Sequence, residues 1–253
     1  THSTETYATV GYQAIKLNIG NENIIDQTTI KPFNVTTYNL NGVAEATKGN
    51  FIVYKLKQPE KVFRSRLWVQ PDRHALTKEE FYKTFTTDLF ADELNKYKWE
   101  KENKVLEKTF DTGTKTEYDL SAELKNQKPG VYVIEAICKD KFGEEVKAFN
   151  YFTLFSPESD IMPEQTPDWF YAPKLKAEPG EKVSYILQSA YPNTNYMFEL
   201  EHQGKALVTK TMSGSMKPNE IAVEENYRGN FAFHTTFIKN NRFYHHSNVV
   251  NVP

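Results

Sequence analysis

The chain has 253 residues, of which 39% are hydrophobic, 25% are charged and 14% are aromatic, and its formal net charge is −2. This length and composition suit one large globular domain or two ordinary ones, and the near-neutral charge argues against nucleic acid as the main partner. No apolar run approaches the roughly twenty residues of a membrane helix, so the sequence predicts no transmembrane segment. The single cysteine excludes an internal disulfide.

The first part of the chain alternates short apolar runs with turns, a pattern typical of β-strands. Residues 1–9 are polar and predict a linker-like start. Asn41-Gly42 predicts a tight turn, because Asn and Gly both tolerate a positive φ. The predicted strands cover residues 11–19, 33–40, 50–56, 61–69, 105–110 and 117–120.

One segment, about residues 71–99, breaks the strand pattern. Thr77 stands three residues before Glu80, which is the capping-box spacing at the start of a helix. Phe81 and Phe85 then fall on one face of that helix, because residues four apart are neighbours on its surface. The sequence therefore predicts a short helical insertion in the first domain that covers a sheet.

A predicted β-hairpin over residues 130–155 organises the first domain. Two runs of β-branched and aromatic residues flank a polar turn that contains Gly143. Strand side chains alternate with period two, which gives the first of these strands one fully apolar face and one mixed face. Such a strand suits an antiparallel sandwich. The apolar face consists of Tyr132, Ile134, Ala136 and Cys138.

A stretch with three prolines, four acids and no basic residue separates the two predicted domains at residues 157–168. That composition is typical of a linker. Short strands with frequent turns follow it, which is the signal of a β-sandwich. They are predicted at residues 174–176, 183–187, 196–201, 206–212 and 221–223 and in a final hairpin over 230–252.

The sequence thus predicts an all-β fold of two tandem immunoglobulin- or fibronectin-III-like antiparallel sandwiches. The first domain covers residues 1–156 and contains the helical insertion at about 71–99. The linker covers 157–168, and the second domain covers 169–253. No residue-level repeat of 20–50 residues is visible, which argues against a solenoid or a propeller.

The candidate nucleophiles and metal ligands form no recognisable constellation. Ser213-Gly-Ser215 lies in a polar turn without the strand-to-helix context of a nucleophile elbow. Cys138 lies on an apolar strand face and is predicted to be a small core residue. His245 and His246 are adjacent, so they point to opposite faces of a strand. His234 can face His245 across the final hairpin, but two histidines without a third ligand make a weak metal site.

The sequence therefore predicts no catalytic, cofactor-binding or metal-ligating residues, no cofactor and no enzymatic activity.

Basic and aromatic residues are interspersed over residues 61–73, namely Lys61, Arg64, Arg66 and Arg73 with Phe63 and Trp68. In the predicted edge strand, Arg64 and Arg66 are expected to point outward, and Phe63 and Leu67 inward. A basic and aromatic strip can bind nucleic acid, but the many acids nearby favour a solvated strand face.

Four large aromatic side chains have two interpretations: Trp68, Trp99, Trp169 and Tyr171. Large aromatics dominate sandwich cores, so we predict that these residues lie in a core or a domain interface. The alternative is that they line a sugar-binding surface.

Several turn and strand motifs occur together from about residue 10 to the end of the chain. They are Lys31-Pro-Phe-Asn-Val35 with Asn41-Gly42, Val53-Tyr-Lys-Leu-Lys-Gln-Pro-Glu-Lys-Val62, Arg66-Leu-Trp68 with Pro71-Asp72, Pro129-Gly-Val-Tyr-Val133 with Lys139-Asp-Lys-Phe-Gly-Glu144, and Tyr227-Arg-Gly-Asn230 with Lys239-Asn-Asn-Arg242. Together they resemble the macroglobulin-domain region of large α2-macroglobulin-like proteins of Bacteroidetes-type bacteria.

The resemblance implies a string of fibronectin-like sandwiches in an exported protein. That protein would be periplasmic or at the cell surface, and membrane-anchored as a lipoprotein through a region N-terminal to this segment. Its partners would be the other domains of the same chain and the proteases that it traps after cleavage of a bait segment. Many such proteins form a thioester from a Cys-Gly-Glu-Gln motif, but Cys138 is followed here by Lys-Asp-Lys. No functional residue of the family is therefore carried onto this chain.

Three functional hypotheses follow. In the first, the chain is a non-catalytic scaffold segment of a protease-trapping protein, and it packs against neighbouring domains. In the second, it is a cell-surface module that binds glycan or a host protein. In the third, it is a hydrolase or metal enzyme that uses His234 and His245.

Overall fold

A computed structural model describes residues 11–253 of the chain, so the predicted linker-like start lies outside the described residues. Backbone contacts divide the chain into two units. The described part of the first unit runs up to Lys57 and resumes over Trp99–Ser156, and the second unit comprises Gln58–Lys98 and Pro157–Pro253. Both consist mainly of antiparallel sheets, so the predicted all-β class with immunoglobulin-like sandwiches is confirmed.

The first unit contains a three-stranded and a five-stranded sheet. The smaller sheet has the order β1 (Ile15–Gly20), β3 (Phe33–Asn39), β6 (Glu117–Tyr118). The larger has the order β2 (Ile24–Asp26), β8 (Glu145–Phe155), β7 (Gly130–Lys139), β4 (Lys48–Leu56), β5 (Lys101–Asp111). Only the short pairing of β2 with β8 is parallel among the described pairs. One helical turn, α2 (Ser121–Leu124), precedes β7.

The core of the first unit lies between its two sheets and is built around aromatic rings. Phe33 from the smaller sheet meets Phe152 from the larger one edge-on, with 5.4 Å between the ring centroids. Tyr132 stacks on Phe152 at 5.6 Å. The predicted apolar face of β7 contributes all four of its residues to this core. The opposite face of β7 is covered too, because Val131 and Val133 are buried in a second cluster.

The hairpin between β7 and β8 closes through the buried side chain of Asp140. Its carboxylate accepts hydrogen bonds from the backbone N–H groups of Phe142 and Glu144, both at 2.9 Å, and from that of Ala14 at 2.8 Å. The bond from Ala14 is the main cause that lowers the pKa of Asp140. The predicted turn residue Gly143 has a φ of +87°, which favours glycine.

The second unit contains a three-stranded and a four-stranded sheet, and the described strand pairs within both sheets are antiparallel. The smaller sheet has the order β13 (Ser215–Ala222), β10 (Lys182–Gln188), β9 (Trp169–Tyr171). The larger has the order β12 (Lys205–Ser213), β11 (Asn195–His202), β14 (Phe231–Lys239), β15 (Arg242–Val250). Tyr185 stacks on Phe198 across the core at 5.7 Å, and its hydroxyl lies 3.2 Å from that of Tyr196.

Each larger sheet has one lysine-bearing strand at its edge. β5 lies at the edge of the five-stranded sheet and β12 at the edge of the four-stranded sheet. β5 carries three lysines and two glutamates, and β12 carries two lysines and is exposed along almost its whole length.

The helical segment differs from the prediction in its location. Residues 58–98 group with the second unit rather than with the first domain, where the sequence analysis placed them. Its helix α1 (Lys78–Thr84) begins with the predicted capping box, in which Thr77 and Glu80 satisfy each other's backbone N–H groups. The predicted strand over 61–69 does not form, and the strand predicted over 174–176 is reduced to a single bridge between Lys176 and Asn251.

The predicted linker at 157–168 packs within the second unit. Pro163 and Pro167 are buried. The side-chain amide of Gln58 donates to the carbonyl of Pro163 at 3.1 Å and accepts from the N–H of Gln165 at 3.0 Å. These bonds hold the start of residues 58–98 against this part of the chain. Within residues 11–253, no helix has the length and apolar character needed to cross a membrane.

The close approach of β4 to its neighbours gives a test of the packing in the first unit. A Cβ atom added at Gly49 would lie 2.2 Å from the carbonyl oxygen of Ile137 and 2.6 Å from the ring of Phe110. We therefore expect Gly49→Ala to lower the free energy of unfolding by about 2 kcal/mol or more, because the backbone of a central strand must move. Urea unfolding followed by circular dichroism measures this.

Gly20→Ala is the matched control, since no atom lies within 4 Å of the added Cβ at that strand position. Equal unfolding midpoints for the two variants would contradict the described register of β4.

Candidate functional site

Residues 58–98, here called the anchored segment, are held by an ion pair rather than by a sheet. Arg64 donates from Nε to Oδ1 of Asp88 at 2.5 Å and from Nη2 to Oδ2 at 2.8 Å, so the pair is bidentate. Arg64 also donates from Nη1 to the carbonyl of Asn240 at 2.6 Å, in the turn between β14 and β15. The pair therefore ties two limbs of the segment to each other and to the final hairpin.

The ion pair is largely removed from water. The side chain of Asp88 is 8% exposed and that of Arg64 is 19% exposed. The hydrogen bond from Arg64 is the main cause that lowers the pKa of Asp88, and the same bond raises the pKa of Arg64. Both groups therefore stay charged at neutral pH, and bidentate charged hydrogen bonds are among the strongest that proteins form.

Aromatic side chains fill the space around α1 in the anchored segment. Phe81 meets Phe85 at 5.0 Å and Phe90 at 5.4 Å, so the predicted i, i+4 pair is confirmed. The hydroxyl of Tyr82 donates to Glu93 at 2.6 Å. Burial, and then this bond, raise the pKa of Tyr82. The segment is thus a packed structure despite its single helix.

Three consecutive apolar residues of the anchored segment, here called the exposed loop, point into solvent. Leu67 is 74% exposed, Trp68 is 57% exposed and Val69 is 90% exposed. Phe63 is buried as predicted, but the prediction that Leu67 points inward is wrong. The prediction assumed a strand, in which successive side chains point to opposite faces. Residues 61–69 form no strand, so this alternation does not apply to Leu67.

Arg64 and Arg66 are also not the outward-pointing residues that the sequence predicted. Arg66 donates from Nη2 to the carbonyl of Leu89 at 2.9 Å and to that of Ala91 at 3.3 Å. Because both guanidinium groups bond within the second unit, they fix the base of the exposed loop.

A second candidate site lies on the outward face of the four-stranded sheet. His234 on β14 pairs with Glu199 on β11, and its Nε2 lies 3.5 Å from a carboxylate oxygen of Glu201. The rings of His234 and His245 are nearly parallel with 5.7 Å between centroids, so the predicted cross-strand approach of the two histidines is confirmed. The sequence analysis missed Glu199 and Glu201, although their spacing of two residues on a strand places them on one face.

His246 points to the opposite face from His245, as predicted. Its ring stacks on Phe170 at 4.3 Å, and its Nε2 lies 3.0 Å from a carboxylate oxygen of Asp168. This histidine therefore joins β15 to the end of the predicted linker.

Cys138, Ser213 and Trp169, which the sequence analysis also singled out, lie in structural environments. Burial, and then the charge of Asp140, raise the pKa of the Cys138 thiol, which disfavours a reactive thiolate. Ser213 donates from Oγ to the side-chain oxygen of Asn195 at 2.8 Å. Trp169 is 4% exposed, so it is unavailable to a sugar, whereas Trp68 is accessible.

No protein-family model matches the sequence, and no curated protein matches it. Among solved structures, native E. coli alpha-2-macroglobulin is similar at a TM-score of 0.30 and 11% identity over 91% of this chain. Murine CEACAM1b is similar at 0.25 and 9% identity, over 94% of this chain and 100% of its own. An ice-binding, Ca²⁺-stabilised adhesin of an Antarctic bacterium is similar at 0.23 and 12% identity, over 100% of this chain and 51% of its own.

The chain spans 14% of the length of the E. coli alpha-2-macroglobulin chain. TM-scores and sequence identities as low as these concern the fold at most and support no conclusion about function.

The ion pair of the anchored segment gives a stability prediction. We expect Arg64→Ala to lower the free energy of unfolding of the second unit by about 3 kcal/mol, because Asp88 would remain charged and poorly hydrated. Urea unfolding followed by tryptophan fluorescence measures this, since the buried Trp169 lies in the same unit. Arg73→Ala, at an exposed position of the same segment, is the control and should leave the midpoint unchanged.

The same pair predicts a pH dependence. The pKa of Asp88 is lowered in the folded state, so its contribution is complete above the unfolded carboxyl pKa of about 3.9 and is lost as the pH falls through the folded value. The stability difference between the wild type and Asp88→Asn should therefore shrink below about pH 4. A difference that stays constant from neutral pH into that range would refute the assignment.

Proposed function

We propose that the chain is a non-catalytic scaffold segment of a longer, exported, α2-macroglobulin-like protease-trapping protein. In this proposal the exposed loop docks on a neighbouring domain of the same protein. The observation that carries the proposal is the exposure of Leu67, Trp68 and Val69 on a segment that the Arg64–Asp88 pair holds in place. The resemblance of the turn and strand motifs to macroglobulin domains supports the proposed kind of parent protein.

Exposed apolar residues of this kind are a feature of interaction surfaces. Burying one large apolar side chain contributes about 1.5–3 kcal/mol, so three neighbours can stabilise a domain contact. Gln70, Asp72 and Arg73 are exposed next to the loop, which gives the apolar residues a polar border like the rim of an interface. Because the base of the loop is fixed, docking loses little conformational entropy.

The proposal places the chain in the periplasm or at the cell surface, with the other domains of the parent chain and the trapped proteases as partners. The buried, protonated thiol of Cys138 supports a role without nucleophilic chemistry for that residue. The alternative is a cell-surface module for a glycan or a host protein. The accessibility of Trp68 is the observation that favours it, since sugars stack on exposed aromatic rings.

The test of the proposal is binding between this chain and the flanking domains of the parent protein, produced as separate chains. We expect calorimetry to detect association, and the triple variant Leu67→Ser, Trp68→Ser, Val69→Ser to weaken it at least about tenfold, or about 1.4 kcal/mol. Phe142→Ser is the control, because Phe142 is a similarly exposed aromatic residue in a hairpin turn of the first unit.

Equal affinities for the wild type and the triple variant would rule out docking through the exposed loop. A glycan array gives the competing outcome: a sugar signal that disappears in Trp68→Ala would favour the binding-module alternative.

A further inference from the structure

The outward face of the four-stranded sheet brings three metal-ligating side chains together. Glu199 lies directly across from His234 on the neighbouring strand, and Glu201 lies two residues further along the same face. One ligand atom from each side chain can be chosen so that all three lie within 4.8 Å of one another. Neighbouring strands hold these residues, so the arrangement depends on sheet register rather than on a mobile loop.

The imidazole of His234 has a nitrogen available for a ligand. Its Nε2 is buried and makes no hydrogen bond, and the oxygen of Glu201 at 3.5 Å lies beyond good hydrogen-bond distance. A buried polar atom without a partner is costly, and a metal ion between this nitrogen and the carboxylates would satisfy it.

The strand partners on the other sides of Glu199 and His234 carry no charge that would neutralise the two carboxylates. Glu199 pairs on its other side with the neutral Thr209 of β12, and His234 pairs with the neutral Ser247 of β15. The ring of His245 lies parallel to that of His234, and its Nδ1 is 2.9 Å from the hydroxyl of Thr236. His245 therefore lies beside His234 but outside the ligand cluster, and its Nδ1 is taken up by Thr236.

We propose that Glu199, Glu201 and His234 bind one first-row divalent cation of the Zn²⁺ type. Two carboxylates balance the charge of the ion, and the imidazole favours Zn²⁺ and its transition-metal neighbours over Mg²⁺ and Ca²⁺. Three protein ligands leave one tetrahedral position for water or for a ligand from a partner. The ion would join β11 to β14 on the outward face. This site is independent of the exposed loop and goes beyond the proposed scaffold function.

The experiment titrates ZnCl₂ into the chelator-treated 253-residue chain by calorimetry. We expect one ion per chain, with affinity at least about tenfold weaker in each of Glu199→Gln and Glu201→Gln and binding lost in His234→Ala. Co²⁺ gives an independent readout, because its visible absorption reports the number and geometry of ligands. Circular dichroism of each variant, and the near-isosteric Glu→Gln changes, separate loss of binding from loss of folding.

His245→Ala is the matched control, because it removes the neighbouring imidazole and leaves the three proposed ligands in place. It should bind Zn²⁺ within about threefold of the wild type, because the Nδ1 of His245 bonds Thr236 rather than one of the three ligands and so gives no outer-shell support. The proposal is overturned if the wild type binds no ion at one per chain, or if the two Glu→Gln variants bind as the wild type does. It is overturned equally if His245→Ala abolishes binding, which would assign the ion to the histidine pair instead.

Discussion

The bidentate pair between Arg64 and Asp88 allows an irregular segment to keep a fixed conformation. Residues 58–98 contain one short helix and one 3-10 turn, so backbone hydrogen bonds alone hold little of them in place. The guanidinium joins two limbs of the segment to the turn between β14 and β15. Its low exposure limits screening by water and salt. Together with the bonds that Arg66 donates to the carbonyls of Leu89 and Ala91, this pair supports the display of Leu67–Val69.

The parts of the fold that depend on local pattern were predictable from the sequence. The alternation in residues 130–139 predicted the buried face of β7, and the Thr77–Glu80 spacing predicted the start of α1. The segment 61–69 also alternates, but it has no partner strand, and strand pairing is not encoded in one strand's own pattern. Arg64 instead bonds to Asp88, and Arg66 bonds to backbone carbonyl groups. In this arrangement Leu67 points outward, opposite to the prediction.

The second candidate site could be predicted only in part, for a related reason. The approach of His234 and His245 follows from a hairpin, in which the two strands are adjacent in sequence. The meeting of His234 with Glu199 requires β14 to pair with β11, about thirty-five residues earlier in the chain, and that register comes from the packing of the sheet. The sequence shows which residues can bind a metal, but only the pairing of β11 with β14 brings Glu199, Glu201 and His234 together.

The lysines on the edge strands β5 and β12 affect whether another chain can add a strand to these sheets. An open edge offers free N–H and C=O groups to any extended peptide, and a row of ammonium groups opposes that templated addition. In β5 and β12 these lysines lie on one edge of each larger sheet, whereas the opposite edge strands, β2 and β15, carry no lysine. Contacts with further modules would then use side chains rather than backbone ladders. At these two edges the lysines oppose the addition of a further strand from another chain.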